Sequence, residues 1–270
     1  MQCVMHLHNS VTAFFVRKES VEEGNMKQEK TGTRINRFLS QAGICSRREA
    51  DRALEAGDVR IGKKIALVGE RVQQGDVVYF RGKRVRRGGE RILIAFHKPL
   101  GVVCTTSKKE QDNIVDYISY AKRIYPVGRL DKDSTGLILL TNDGDIVNKI
   151  MRAGNRHEKE YVVSINKEVT EDFVMQMSNG VSILNTLTRP CKVWKSGIRE
   201  FHIILTQGMN RQIRRMCKAL GYEVRSLKRI RIMNIHLGDL KEGEYRNLTK
   251  KEWKKLDEML RNSSSETVRW

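Results

Sequence analysis

Apolar residues in this 270-residue chain change their spacing several times, and each change marks a different element. Ile35, Phe38, Leu39 and Ala42 fall at i, i+3, i+4 and i+7, one face of a helix, and Gly43 stands where that helix should stop. Ser46 followed by Glu49 is a capping box opening a second helix, with Ala50, Ala53 and Leu54 inward and Gly57 at its end. Short β-patterned pieces follow at Val59 to Ile61, Lys64 to Ile65 and Val77 to Phe80. From residue 91 strands are interleaved with a few helices. Ile92 to Phe96, Gly101 to Thr105 and Leu137 to Thr141 read as strands, the last closed by an Asn142-Asp143-Gly144 turn. Ile146, Val147, Ile150 and Met151 predict a short helix ending at Gly154, and Tyr161, Val163 and Ile165 alternate with polar or outward residues as a half-buried strand. Phe201 to Leu205 is a further strand. Ile213, Met216, Cys217 and Leu220 form the stripe of a helix stopped by Gly221, and Thr249 with Glu252 caps a last helix. Strand runs mixed with segregated helices predict an α+β fold with flanking helices on a mostly antiparallel mixed sheet.

The pattern divides the chain. Residues 1–30 carry no period and read as a disordered extension, with His6 and His8 part of a tail and not a metal site. Residues 31–80 form a small domain, and 91–262 a larger one followed by a tail at 263–270. Between the domains, residues 81–91 carry six cations, one acid and three glycines, which predicts a flexible basic linker over 81–90. At 39% hydrophobic the chain can bury a sizeable core.

Charge narrows the function. Lys and Arg number 51 against 32 Asp and Glu, a formal net charge of +19. Such an excess implies a polyanionic partner, because each neutralised phosphate releases counterions. A membrane surface is the poorer candidate: no apolar run approaches the roughly 20 residues of a spanning helix. The five cysteines (Cys3, Cys45, Cys104, Cys191 and Cys217) stand singly, with no CxxC pair to support a zinc site or a disulfide framework. Reduced thiols in a cytoplasmic protein follow.

Candidate chemistry concentrates in Pro126-Val127-Gly128-Arg129-Leu130-Asp131-Lys132-Asp133-Ser134-Thr135-Gly136. Here Asp131 sits in a turn between apolar segments, with cations on both sides, an arrangement suited to a nucleophilic carboxylate. A basic cluster spans 211–231, where Arg211, Arg214, Arg215, Lys218, Arg225, Lys228, Arg229 and Arg231 face one acid, Glu223. By pattern alone Arg214 is a solvated or phosphate-contacting cation; turned inward, it could meet Asp131 as a charge-assisted pair. Tyr161 and Leu227 are by pattern core residues, although Tyr161 could stack on an extruded base. Arg34, Arg37, Arg47, Arg48 and Arg52 share the outward face of the first two helices, a one-signed bias that favours phosphate contact.

Two resemblances sharpen these readings. Arg34-Ile35-Asn36-Arg37-Phe38-Leu39-Ser40-Gln41-Ala42-Gly43, Ser46-Arg47-Arg48-Glu49-Ala50 and Gly57-Asp58-Val59-Arg60-Ile61-Gly62 resemble the S4 RNA-binding domain, implying that both helices lie against structured RNA. The larger domain resembles the pseudouridine synthases, in the branch typified by RsuA, RluB, RluE and RluF. The resemblance rests on Lys98-Pro99-Leu100-Gly101-Val102, Gly128-Arg129-Leu130-Asp131 through Leu137, Lys159-Glu160-Tyr161, Gly208 through Met216, and Leu227 through Ile232. Asn148 through Asn155 and His157 through Tyr161 look most like the RluF type. The resemblance implies Asp131 as the essential carboxylate, Tyr161 packed on the target base and Arg214 paired with Asp131. It also implies Arg129 in the gap left by the flipped nucleotide and Leu227 lining the pocket, with Lys98 and Arg211 at the substrate. It further implies a uridine in 23S ribosomal RNA, with a tRNA anticodon-loop uridine as a second substrate, no cofactor or metal, and a monomer. Three alternatives remain: a 16S ribosomal RNA enzyme of the same family, a non-catalytic S4-type ribosome assembly factor, and a metal-dependent nuclease using Asp131, Asp133, Asp143 and Asp145.

Overall fold

The computed structural model describes residues 32–86, 90–107 and 109–264. The expectations for residues 1–30 and for most of the tail lie outside the described residues.

The N-terminal part folds because two short helices bury complementary stripes. Strand β1 (Thr33–Arg34) leads into α1 (Ile35–Gln41), and α2 (Arg47–Glu55) packs on it through Ile35, Phe38, Leu39, Ala50, Ala53 and Leu54. The expected capping box is present: the Ser46 hydroxyl accepts from Glu49 N and the Glu49 carboxylate from Ser46 N. Strands β2 (Val59–Ile61), β3 (Lys64–Ile65), β4 (Arg71–Val72), β5 (Val78–Phe80) and β6 (Lys83–Val85) follow. Four of them form an antiparallel sheet ordered β3-β2-β5-β6, and β4 pairs with β1. The linker expectation fails at its start. Lys83–Val85 pairs with Val78–Phe80, and Val85 enters the core, an apolar anchor hidden among cations.

The larger part contains β7 (Leu93–Lys98), α3 (Ile114–Ile118), β8 (Tyr125–Pro126), β9 (Thr135–Thr141), α4 (Gly144–Met151) and β10 (Lys159–Ile165). It continues through α5 (Glu171–Asn179), the small hairpin β11 (Ser182–Ile183) and β12 (Thr186–Leu187), β13 (Lys192–Gly197) and β14 (Glu200–Leu205). Helix α6 (Gln212–Ala219), β15 (Val224–Ile232), β16 (Ile235–His236), β17 (Tyr245–Asn247) and α7 (Lys250–Leu260) complete it. A nine-stranded sheet runs β13-β14-β10-β15-β9-β7-β17, with β16 on β15 and β8 on β9. Of its pairings only β9 with β15 is parallel, so the mixed, mostly antiparallel α+β expectation holds.

Alternation along the strands sends successive side chains to two cores. One gathers Ile138, Leu140, Val163 and Ile203 with Phe173 of α5 and Met216 of α6. The other gathers Leu137 and Leu139 with Ile146 and Ile150 of α4 and Leu256 of α7. Two expected local features differ. Residues 101–105 are no strand and share only an isolated bridge from Val103 to Asn113. At 142–144 the chain starts α4 and does not close a hairpin, because the Asp143 carboxylate accepts from Asp145 N as an N-cap.

The parallel junction fixes the site. Gly136 of β9 lies opposite Arg229 of β15 at φ +103°, and a Cβ built there would stand 2.3 Å from the Arg229 carbonyl oxygen. Only glycine permits both this backbone conformation and this approach. Gly136→Ala is expected to lower the unfolding free energy by about 3 kcal/mol in denaturant titration. Gly154→Ala, where the space is open, should stay within about 0.5 kcal/mol of wild type.

Candidate active site

The Asp131 turn connects β8 to β9 and is held from three sides. Within it the Ser134 amide donates to the Asp131 carbonyl at 3.1 Å. From the loop after β7, Gly101 N donates to the Lys132 carbonyl at 2.9 Å, and Cys104 Sγ accepts from Leu130 N at 3.4 Å. From α6, Arg214 Nη2 donates to the Asp133 carbonyl at 2.6 Å and lies 3.4 Å from Ser134 Oγ.

Beside the turn opens a cavity of about 380 Å³, within the size range of small-ligand sites. Asp131, Arg129, Tyr161, Arg211, Arg214 and Leu227, expected from four separate segments, all line it. Asp131 is about one-third exposed, open to the cavity yet anchored by its backbone. Tyr161 and Leu227 project from the adjacent strands β10 and β15. Arg129, Arg211 and the S4-face residues Arg34, Arg47 and Arg48 are exposed.

The electrostatics depart from the expected pairing. Arg214 was expected on Asp131, but its Nε lies 3.4 Å from an Asp133 carboxylate oxygen, without hydrogen-bond alignment. Arg211, at the α6 N-cap in a left-handed conformation, grips the same carboxylate bidentately at 2.8 and 3.1 Å and reaches Asp131 only at 3.9 Å. The Arg211 fork holds the Asp133 carboxyl below the usual carboxylate range. Asp133 points both arginines at the turn as a whole, so Arg214 clamps the backbone that carries Asp131 and is not its ion-pair partner here.

Two other cations are spent internally. Lys98 is fully buried, and its ammonium donates to the Pro99 carbonyl at 2.7 Å and the Val102 carbonyl at 2.9 Å. It therefore shapes the loop that presents Gly101 to the turn and does not line the cavity. Arg37, expected on phosphate, forms an ion pair with Asp145 in the first turn of α4, joining the N-terminal part to the larger one. The nuclease alternative loses its ligands in the same way. Asp143 caps α4, Asp145 holds Arg37, and among the described residues no three metal-ligating side chains gather.

Lys159 and Arg229 also line the cavity; Arg229 is one of the cations of the 211–231 cluster and Lys159 stands in the matched Lys159-Glu160-Tyr161 segment, yet neither was given a place at the site. Both are buried, and burial, with Arg229 nearby, pushes the Lys159 pKa down to about 8. The signal was strand alternation: Leu227 and Arg229 share a face of β15, and Tyr161 lies directly across from Arg229. A bulge between Glu160 and Tyr161 sets that register.

Residues 92–219 match the RNA pseudouridylate synthase family, and residues 33–78 match the S4 domain. The chain is 52% identical over 238 residues to the dual-specificity RNA pseudouridine synthase RluF of Escherichia coli K12, covering 87% of this chain and 82% of that protein. It is 32% identical to the ribosomal large subunit pseudouridine synthase B of Bacillus subtilis, covering 83% of this chain and 95% of that one. A crystal structure of a pseudouridylate synthase superposes with a TM-score of 0.61 at 28% identity, over 83% of this chain and all of that one.

Lys98→Met, which leaves the Pro99 and Val102 carbonyls without their donor, should lower the unfolding free energy by roughly 2 kcal/mol. Turnover should fall with it while RNA affinity, read by filter binding, stays unchanged. Intact stability with a large loss of affinity would return Lys98 to the substrate.

Proposed function

The chain belongs to the RNA pseudouridylate synthase family, and on that premise we propose that it isomerises one specific uridine in 23S ribosomal RNA. That it is an RNA pseudouridine synthase follows from the family; the substrate and the residue roles are our reading. The observation that carries the reading is the single cavity in which Asp131, Tyr161, Arg129, Arg214 and Leu227 meet.

RNA docks along Arg34 just ahead of α1, the exposed arginines of α2 and the basic end of α6. Their phosphate contacts supply sequence-independent affinity. The target uridine leaves its stack, at a cost of a few kcal/mol. Its base lies against the Tyr161 ring, where stacking returns about 1–3 kcal/mol, and Leu227 closes the apolar side. Arg129, exposed at the cavity mouth, fills the gap in the RNA. The Asp131 carboxylate then acts at the ribose, either attacking C1′ or removing the 2′ proton. The N1–C1′ bond breaks, the base turns, and C5 bonds to C1′, with Tyr161 placed to help remove the C5 proton. Arg211 and Arg214, tied to Asp133, hold the Asp131 turn still throughout. The reaction is an isomerisation, so it consumes no co-substrate. We place the protein in the cytoplasm as a monomer. A tRNA anticodon-loop uridine is the second substrate that fits, given that the RluF relative carries dual specificity in its name.

Carbodiimide mapping of ribosomal RNA from a deletion strain tests the assignment. One 23S pseudouridine should disappear and return with the wild-type gene. An unchanged 23S map, or a change confined to 16S or tRNA, would contradict it. Asp131→Asn should restore no pseudouridine while binding RNA normally. Arg47→Ala with Arg48→Ala should chiefly weaken binding and lower the salt slope by about two.

A further inference from the structure

Among the described residues Arg229 is the largest side chain that the fold buries completely. Its Nε donates to the Leu137 carbonyl at 2.7 Å, which ties β15 to β9. Its Nη2 is buried and has no hydrogen-bond partner. A bare guanidinium nitrogen inside a protein is costly unless something completes it. The guanidinium carbon lies 6.0 Å from the centre of the Tyr161 ring, and Arg229 lines the Asp131 cavity. Lys159 stands on the same wall, 4% exposed, its ammonium donating to the His157 carbonyl at 3.2 Å.

Neither cation has a carboxylate within ion-pair distance among the described residues. Buried cations ordinarily have a partner. With the Lys159 pKa near 8, its ammonium still carries charge at neutral pH. Two uncompensated positive groups beside the stacking tyrosine fit an anion that exists only while the reaction is under way.

We propose that Arg229 Nη2 donates to a ring carbonyl of the flipped uracil, and that Arg229 and Lys159 hold the negative charge on the detached base. The inference rests on the reading that this cavity isomerises uridine. When N1–C1′ breaks, the bonding pair stays with the base, and the resulting uracil anion spreads its charge over N1 and both carbonyl oxygens. The base turns, its C5 uses that electron density to bond to C1′, and the C5 proton then leaves as N1 takes one up, which gives the neutral product. If Asp131 attacked C1′, its ester breaks as C5 bonds; if it took the 2′ proton, that proton returns. Both routes release the same anion, so the role of Arg229 does not depend on which operates. Donors fixed where charge develops are the strongest form of such assistance.

The test uses purified full-length wild type and Arg229→Gln under single-turnover conditions. The RNA is the one that the mapping identifies, carrying either uridine or 5-fluorouridine at the target position. Loss of the starting nucleoside is followed by digestion and mass spectrometry. Arg229→Gln should react with uridine roughly a hundredfold more slowly, the loss typical for one such donor, with RNA affinity unchanged. Fluorine withdraws electrons and stabilises the anion by itself, so the deficit should shrink at least about tenfold with 5-fluorouridine. Equal deficits for the two bases, or a wild-type rate in the variant, would overturn the proposal. Should Arg229→Gln fail to fold, Arg229→Lys keeps the charge but loses the fork, and the same comparison of two bases decides. Wild-type turnover on this RNA checks the underlying reading separately.

Discussion

Two parallel strands touch at Gly136 and Arg229, and the site hangs on that contact. Strand β9 begins just after the Asp131 turn, and β15 carries Leu227 and Arg229. A side chain at 136 would meet the Arg229 backbone at 2.3 Å, so the strands can close only where none exists. The Arg229 Nε–Leu137 bond then fastens the junction from the side-chain direction. A carboxylate from one segment and a pocket wall from another, nearly a hundred residues on, are thereby set in register. Neighbouring β10 adds Tyr161 through its own pairing with β15.

Around this junction the polar groups are arranged to hold geometry and leave Asp131 open. The carboxylate of Asp133 engages the arginines of α6, and the carbonyls of Lys132 and Asp133 take donors from Gly101 and Arg214. Lys98 spends its ammonium on the loop that presents Gly101. Asp131 itself receives no direct hydrogen bond to its carboxylate from these groups; it is fixed through its backbone. Such a turn sets the position of Asp131 without occupying its oxygens, as the proposed reaction requires. The cost is paid in buried charge, with Lys98, Lys159 and Arg229 all withdrawn from water.

Much of this was legible in the chain. Both capping boxes, the α1 and α2 stripes, the Tyr161 strand and the stops at Gly43, Gly57 and Gly221 follow from local spacing, and local hydrogen bonds and helical faces decide them; Gly154 is no stop, because α4 already ends at Met151 and Gly154 lies within a 3-10 turn. Strand β13 was missed because its edge position leaves most of it exposed, erasing the alternation. Strand β15 was hidden by its own composition: VRSLKRIRI looks like a charge run, although two of its inward positions are Leu227 and Arg229. Asp131, Arg129, Tyr161, Arg211, Arg214 and Leu227 were expected together through resemblance; Lys159, Arg229 and the partners of the arginines were not. Whether Arg214 meets Asp131 or Asp133 depends on how α6 approaches the turn, a tertiary fact with no sequence period. The same holds for Lys98, whose neighbours in the motif gave no sign that its ammonium would turn back on Pro99 and Val102.

The most direct test of the account is a crystal structure of Asp131→Asn bound to its substrate RNA. The account predicts the target uridine out of the stack, its base against the Tyr161 ring, C1′ facing residue 131, and a uracil carbonyl on Arg229 Nη2. A target base still stacked in the RNA, or a ribose turned away from residue 131, would contradict it.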